Sequence, residues 1–306
     1  MTRVGGDHSS PEAEWAGAFR DRLRTALEVL ASRTTIDTAE APTHRLVQVS
    51  GWAGDEKAER AIAEYLVGLR MMMVSAALQI QCNLLGRRID SGPSVKRNVS
   101  SIVGEAGAAL SEPQIVQERN PWIAEALWHL CLHLSQKVPS VHPNGSIIAV
   151  DYAHSFAKEQ GLDIAALYVL DSGAVGLTIV ETKAYEAGAT QAVIDAAAIF
   201  RRVELEELDV EIRRAVSIMR DALPFESQHA ITGTFWRDER TCVPNPHYDP
   251  TTSDNIDWLR RRRTLTRLGV DSRHVILMPH AVTGFRSFFD RIADRMRSFA
   301  EEMASV

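Results

Sequence analysis

The sequence predicts an α/β protein whose first third is mostly helical. Three observations carry this. Apolar residues recur at three- and four-residue spacing through two long stretches before residue 90; two β-rich runs flank an Asp-Ser-Gly turn signal between residues 162 and 185; and an Ala-rich helical stretch follows them directly. A chain of 306 residues suffices for one large domain or two modest ones.

Taken in order, "PEAEWAGAFRDRLRTALEVLASR" and "DEKAERAIAEYLVGLRMMMVSAALQIQCNLL" each carry one apolar helical face, with a short strand expected between them at "THRLVQVSGW". Residues 87 to 120 contain Gly, Pro and Ser without a strong period. They read as a linker, dividing a mostly helical region, 1–115, from a second domain, 116–306. Asn120 and Pro121 suit the cap and first position of the next helix, "PWIAEALWHLCLHLSQKV". A strand is expected at "SIIAVDY", then the hairpin "LDIAALYVLDSGAVGLTIVETKAY", then a helix from Ala189 that breaks or restarts near residue 205. Two further strands are expected at "HAITGTFW" and "HVILMPH", separated by a Pro-rich loop and an arginine stretch, before a closing helix, "TGFRSFFDRIADRMRSFAEEM".

Composition excludes several classes. The longest apolar candidate, "MMMVSAALQIQCNLLG", is interrupted by Ser75, Gln79, Gln81 and Asn83, so no membrane span is expected. The N-terminus lacks a basic-then-apolar leader, which points to a cytoplasmic protein. Three cysteines, Cys82, Cys131 and Cys242, form no C-x-x-C pair and argue against a disulfide framework or a cysteine-held zinc. No glycine-rich nucleotide loop occurs. A net charge of −6 is not that of a polycation, although Arg260 to Arg263 and Arg267 supply one local basic stretch.

The chemistry-bearing stretch is "VGLTIVETKAY". On a strand, Glu181 and Lys183 share a face with Val175, Leu177 and Ile179, so two charges stand at the open end of a buried face. Asp163 begins the partner strand. A two-residue turn at Ser172 and Gly173 pairs Asp163 with Thr182, whereas a three-residue turn centred on Ser172 or Gly173 pairs it with Glu181 or Lys183. In the odd register Asp163, Glu181 and Lys183 converge, and the helix from residue 121 is the expected cover for their apolar face. Two carboxylates and the main-chain carbonyl of Thr182 make the oxygen-rich partial shell that Mg²⁺ or Mn²⁺ prefers. Lys183 then stands where an attacking water or developing phosphoryl charge would be. The plain alternative is a strand-end salt bridge between Glu181 and Lys183 with Asp163 solvated.

Asp163, the hairpin and "ETK" at 181–183 together resemble the PD-(D/E)xK nuclease superfamily. The resemblance implies a restriction-endonuclease-like αβββαβ core, a Mg-dependent deoxyribonuclease activity, an acidic residue from the first helix, which falls on Glu125, and a Gln from the second, which falls on Gln191. Over residues 120 to 306 the order of elements, with "ETKAY" as its motif, also resembles the nuclease subunit of the Hachiman bacterial anti-phage system. That resemblance implies DNA as substrate and a separately encoded helicase as partner. A nuclease-like subunit that binds nucleic acid or protein without catalysis is the other expectation. His129 and His133 have the four-residue spacing of zinc ligands, but no Glu adjoins His129 and leucines flank both, so a semi-buried pair is expected instead.

Overall fold

The computed structural model describes residues 11–74, 92–108, 110–151, 162–221, 223–229, 231, 233–253, 257–258 and 262–305. Helix α1 (Pro11–Arg33) buries Trp15, Phe19, Leu23, Ala26 and Leu30, one face at helical spacing. It leads into an antiparallel hairpin of β1 (Thr35–Ala41) and β2 (His44–Ser50). Helix α2 (Glu56–Arg70) starts where the Asp55 carboxylate accepts from Lys57 N (2.9 Å) and Ala58 N (3.0 Å), satisfying two otherwise orphaned donors. It packs closely on α1 because Gly68 has no side chain: a Cβ there would lie 2.5 Å from a Leu23 methyl. Of the "MMMVSAALQIQCNLLG" stretch, Met71 to Val74 form a turn that ends α2 short of the longer helix expected, with Met72 at φ 57°, and residues 75 to 86, Cys82 among them, lie outside the described residues.

The expected linker is partly ordered helix. Helix α3 (Gly92–Val103) buries Val95, Val99, Ile102 and Val103 at helical spacing, with Pro93 in the first turn, where its missing N–H is harmless. The next helix also departs from expectation. Asn120 does not cap it: a π-helical turn, Ile115–Arg119, runs straight into α4 (Asn120–Leu134), and the widened turn accommodates the N–H that Pro121 lacks.

A meander follows: β3 (Ser146–Val150), β4 (Ile164–Val169) and β5 (Val175–Ala184) pair antiparallel. Tyr152, the end of the strand expected at "SIIAVDY", lies outside the described residues. Helix α5 (Ala189–Glu204) and helix α6 (Asp209–Asp221) come next, the break between them marked by Glu206 at φ 61°. Then β6 (Arg240–Tyr248) returns parallel to β5. The chain closes with β7 (Ile276–Leu277), β8 (His280–Ala281) and α7 (Phe285–Ala304). Two mixed sheets result, ordered β3-β4-β5-β6-β8 and β1-β2-β7, with β2 from the N-terminal region parallel to β7. Among the described residues no helix is long and apolar enough to cross a membrane.

Two strand assignments change. Within "HAITGTFW" the described residues form turns and a short 3₁₀ helix, Phe235–Arg237, and the supposed Pro-rich loop is the interior strand β6, between β5 and β8. Pro244 and Pro246 are tolerated because they alternate: the Pro244 carbonyl accepts from Met278 N (3.1 Å), so its backbone faces away from the β5 ladder.

The sheet is covered on both faces, which is why β5 reads as a continuous apolar run. Ile164, Ala166, Tyr168, Val180 and Val243 enter one core with α1, α2, α4 and α7. Ala165, Leu167, Leu177, Ile179 and Cys242 enter the other, with Val193, Ala196 and Phe200 of α5 and Ile212 and Met219 of α6. The helix covering the Leu177 face is therefore α5, not α4 as expected. A crossover helix between parallel neighbours β5 and β6 must lie on one face, leaving the opposite one to α4.

Candidate active site

The hairpin turn decides what meets at its open end. Leu170 N donates to Ala174 O (2.9 Å) and Gly173 N to Leu170 O (2.9 Å), closing a three-residue loop, Asp171–Gly173, in which Gly173 takes φ 83°. A left-handed residue ending a three-residue loop is the conformation that shifts a hairpin to the odd register. Ile164 consequently pairs with Val180, and Asp163, one residue before β4, stands opposite Glu181. Farther up the hairpin, Gly176 pairs with Tyr168, whose ring fills the place a Cβ would need: the nearest ring atom is 2.2 Å from it.

At the rim, Asp163 Oδ2 accepts from Thr182 N at 2.7 Å. A strand residue's N–H and C=O point to the same neighbouring strand, so the Thr182 carbonyl also points to the side where β4 has not yet begun. Glu181 is 2% exposed. Its Oε1 accepts a charge-assisted hydrogen bond from the Lys183 ammonium, while its buried Oε2 has no hydrogen-bond partner among the described residues. An orphaned buried carboxylate oxygen is costly, on the order of 1–3 kcal/mol or more for a charged group.

Electrostatics sharpen the point. Burial pushes the Glu181 carboxyl up to about 8, the charges of Asp163 and Glu125 push the same way, and Lys183 opposes them. Burial alone would lower the Lys183 ammonium, but Glu181 and Asp163 hold it above its ordinary value. Burial is thus the first cause for Glu181, and the neighbouring carboxyls the cause for Lys183; both shifts favour the protonated forms. Such a cluster of carboxyls attracts cations. The donor set fits a hard divalent ion, since Glu181 Oε2 lacks a partner and Asp163 and the Thr182 carbonyl add two further oxygens.

Glu125, buried on α4, reaches this cluster through its charge. Among the described residues no three His, Cys, Asp or Glu side chains converge as a ligand set, so Glu125 does not complete one with Asp163 and Glu181. Gln191 is exposed and donates to Asp195 Oδ1 (2.7 Å), whose other oxygen accepts from Tyr185 Oη (2.9 Å). His129 and His133 stack with ring centroids 5.0 Å apart, and His129 Nδ1 lies 2.9 Å from Tyr65 Oη. Arg260 and Arg261 lie outside the described residues, and Arg262 begins a short helix, Arg262–Thr266.

Behind the site runs a buried network that the sequence reading missed. Thr182 Oγ1 donates to Asn245 Oδ1 (3.3 Å), which also accepts from His247 Nε2 (2.7 Å); Asn245 Nδ2 donates to Met278 O (2.5 Å). With its proton on Nε2, neutral His247 must accept at Nδ1, so His280 Nδ1 is the donor across their 3.0 Å contact. Burial holds both imidazoles below their ordinary value, His280 at about 4. The available signal was Asn245 and His247 two apart in a strand: polar side chains on a buried face must bond to something.

Compared with known proteins, the chain matches no family model, no curated protein and no solved structure.

Proposed function

We propose that this protein is a metal-dependent nuclease of the PD-(D/E)xK kind, hydrolysing phosphodiester bonds of DNA, and that it acts with a helicase in bacterial anti-phage defence. One observation carries the reading: a buried carboxylate, Glu181, keeps one oxygen unsatisfied while its other oxygen holds Lys183, opposite Asp163 at the end of a central strand. The order α4–β3–β4–β5–α5–α6–β6, with β6 parallel beside β5, supports it as the αβββαβ order of that superfamily with α6 added before β6. The defence role and the helicase rest on the resemblance of residues 120 to 306 alone.

Asp163, Glu181 and the Thr182 carbonyl would hold Mg²⁺ or Mn²⁺. Such an ion, when bound, polarises a phosphoryl oxygen and makes a water more acidic. The protein's own groups do the rest. Lys183, 24% exposed and held charged by its carboxylates, faces the rim with an ammonium able to neutralise charge developing on phosphorus or to orient a water. The Asn245 network and the Thr182 N–H bond to Asp163 fix the Thr182 main chain, and with it the direction of its carbonyl.

The test is plasmid cleavage with Mg²⁺ or Mn²⁺, with and without a helicase partner, comparing the protein with Glu181→Ala and Lys183→Ala. Each variant is expected to lose about 100-fold or more of the rate. Equal cleavage by all three proteins would move the active site elsewhere. Cleavage by none, even with the helicase, would favour a binding subunit in which the Glu181–Lys183 pair is only a strand-end salt bridge.

A further inference from the structure

A cleft of about 650 Å³ opens between α5 and the segment 263–268. Arg201 projects into it from α5, Arg263 and Arg267 from the opposite wall, and Ile194, Ala198 and Leu268 supply apolar lining; among the described residues no acidic side chain lines it. All three arginines are exposed, and none makes a side-chain hydrogen bond or ion pair among the described residues. Their neighbours do not share this condition. Arg202 pairs with Glu207 (3.2 Å), Arg237 with Asp209 (2.9 Å) and Arg240 with both oxygens of Glu204 (2.6 Å each). Glu204, Glu207 and Asp209 are thus matched to other arginines, and three guanidinium groups line one cleft without an acidic partner among the described residues. Guanidinium forks of this kind suit phosphate oxygens.

The cleft is contiguous with the candidate active site through α5. That helix begins five residues after Ala184, the end of β5, and its first turns carry Gln191 and Asp195, the latter bonded to Tyr185, two residues beyond Lys183. Ile194, Ala198 and Arg201 follow at four- and three-residue spacing along one face. From Ile194 to Arg201 the helix rises about 10 Å, the axial run of about three phosphates of one strand of a duplex.

We propose that this cleft is a phosphate-backbone site: Arg201, Arg263 and Arg267 seat consecutive phosphates of a nucleic-acid strand whose continuation reaches Lys183. The strand's direction past Lys183 rests on the nuclease reading; the anion site itself rests on the unpaired arginines.

The test separates the two. Binding of a fluorescein-labelled 20-nucleotide DNA, single-stranded and as a duplex, is followed by anisotropy in EDTA over a salt series, using the full chain. The triple variant Arg201→Gln, Arg263→Gln, Arg267→Gln is compared with a charge-matched triple at exposed sites elsewhere, Arg24→Gln, Arg220→Gln, Arg273→Gln. The cleft triple is expected to weaken binding by about tenfold or more near 0.1 M salt, and to reduce the slope of log affinity against log salt by about 2 to 3, as three lost phosphate contacts require. The control should change both far less. Equal weakening by the two triples, an unchanged slope, or no binding by the wild-type chain at low salt each overturns the proposal. Loss of binding in the cleft triple, in a protein that proves unable to cut DNA, leaves the anion site standing and removes the nuclease reading. Intact binding in the cleft triple, with cleavage that depends on Glu181, does the reverse.

Discussion

Glu181 is a carboxyl that its own site works against. Its carboxyl is buried beside two other carboxyls and is raised to about 8 from an unfolded value of 4.5. A raised acid is more protonated in the folded than in the unfolded chain, so its contribution to stability is fully present below about 4.5 and is lost as the pH rises toward about 8. Glutamine has nearly the same shape and no such titration. The expected outcome is that Glu181→Gln gains stability relative to the wild type between pH 5 and 8, in metal-free buffer, as followed by urea midpoint at each pH. A difference that stays constant over that range would mean the carboxyl is not destabilised by its site. Lys183→Met should act in the opposite direction, because it leaves a buried carboxylate without its counter-ion.

At the scale of elements, what was legible was whatever is settled locally. The hairpin itself was legible from its Asp-Ser-Gly turn signal, but a two-residue and a three-residue turn both suited it, and only Gly173 at φ 83° and the Ile164–Val180 pairing fix the register that sets Asp163 opposite Glu181. Helices α1, α2, α5 and α7 followed from apolar spacing in the same way. Strand β6 did not, because its prolines are acceptable only given which side of it β5 occupies, and the His247–His280 contact exists only once β6 and β8 pair. The cover of the Leu177 face was missed for a similar reason: the crossover through α5 decides it, not α4. Asp249 belongs to the same hidden class. It directly follows β6, and its Oδ2 accepts from Gly284 N (2.9 Å) and Phe285 N (3.1 Å) at the start of α7, while Oδ1 accepts from Thr251 N (2.8 Å) and Thr251 Oγ1 (2.7 Å). Those four bonds hold its carboxyl below the ordinary range although burial opposes them. Asp249→Ala should lower unfolding free energy by about 1–2 kcal/mol as a lost helix cap, with Thr251→Ala costing less. Chemical denaturation measures both, and equal stabilities of wild type and Asp249→Ala would show that α7 is held by packing alone.

Across the whole molecule, the core on the α4 face of the sheet is built with imidazoles that must stay neutral. His133 and His280 are held at about 4 by burial, as is His142, which bonds Thr178 Oγ1 (2.6 Å); burial also holds His129 and His247 well below their ordinary value. These groups come from α4, the loop before β3, β6 and β8, so they join the helical layer to the sheet. In the unfolded chain each titrates near 6.5. Between about 6.5 and about 4 the unfolded chain therefore binds more protons than the folded one, and stability falls as the pH drops through that window. Each such histidine contributes a slope of up to about 1.4 kcal/mol per pH unit. Protonating both His247 and His280 breaks their mutual bond, since two imidazolium rings offer only donors across the 3.0 Å contact. That bond lies in the network behind Thr182, so acidification is expected to loosen the candidate site together with the core. The urea midpoint should decline steeply from pH 6.5 to pH 4.5, and His280→Phe, alone or with His247→Leu, should flatten the decline even if it lowers stability at pH 7. A midpoint independent of pH over that interval would mean these histidines are not buried as neutral groups.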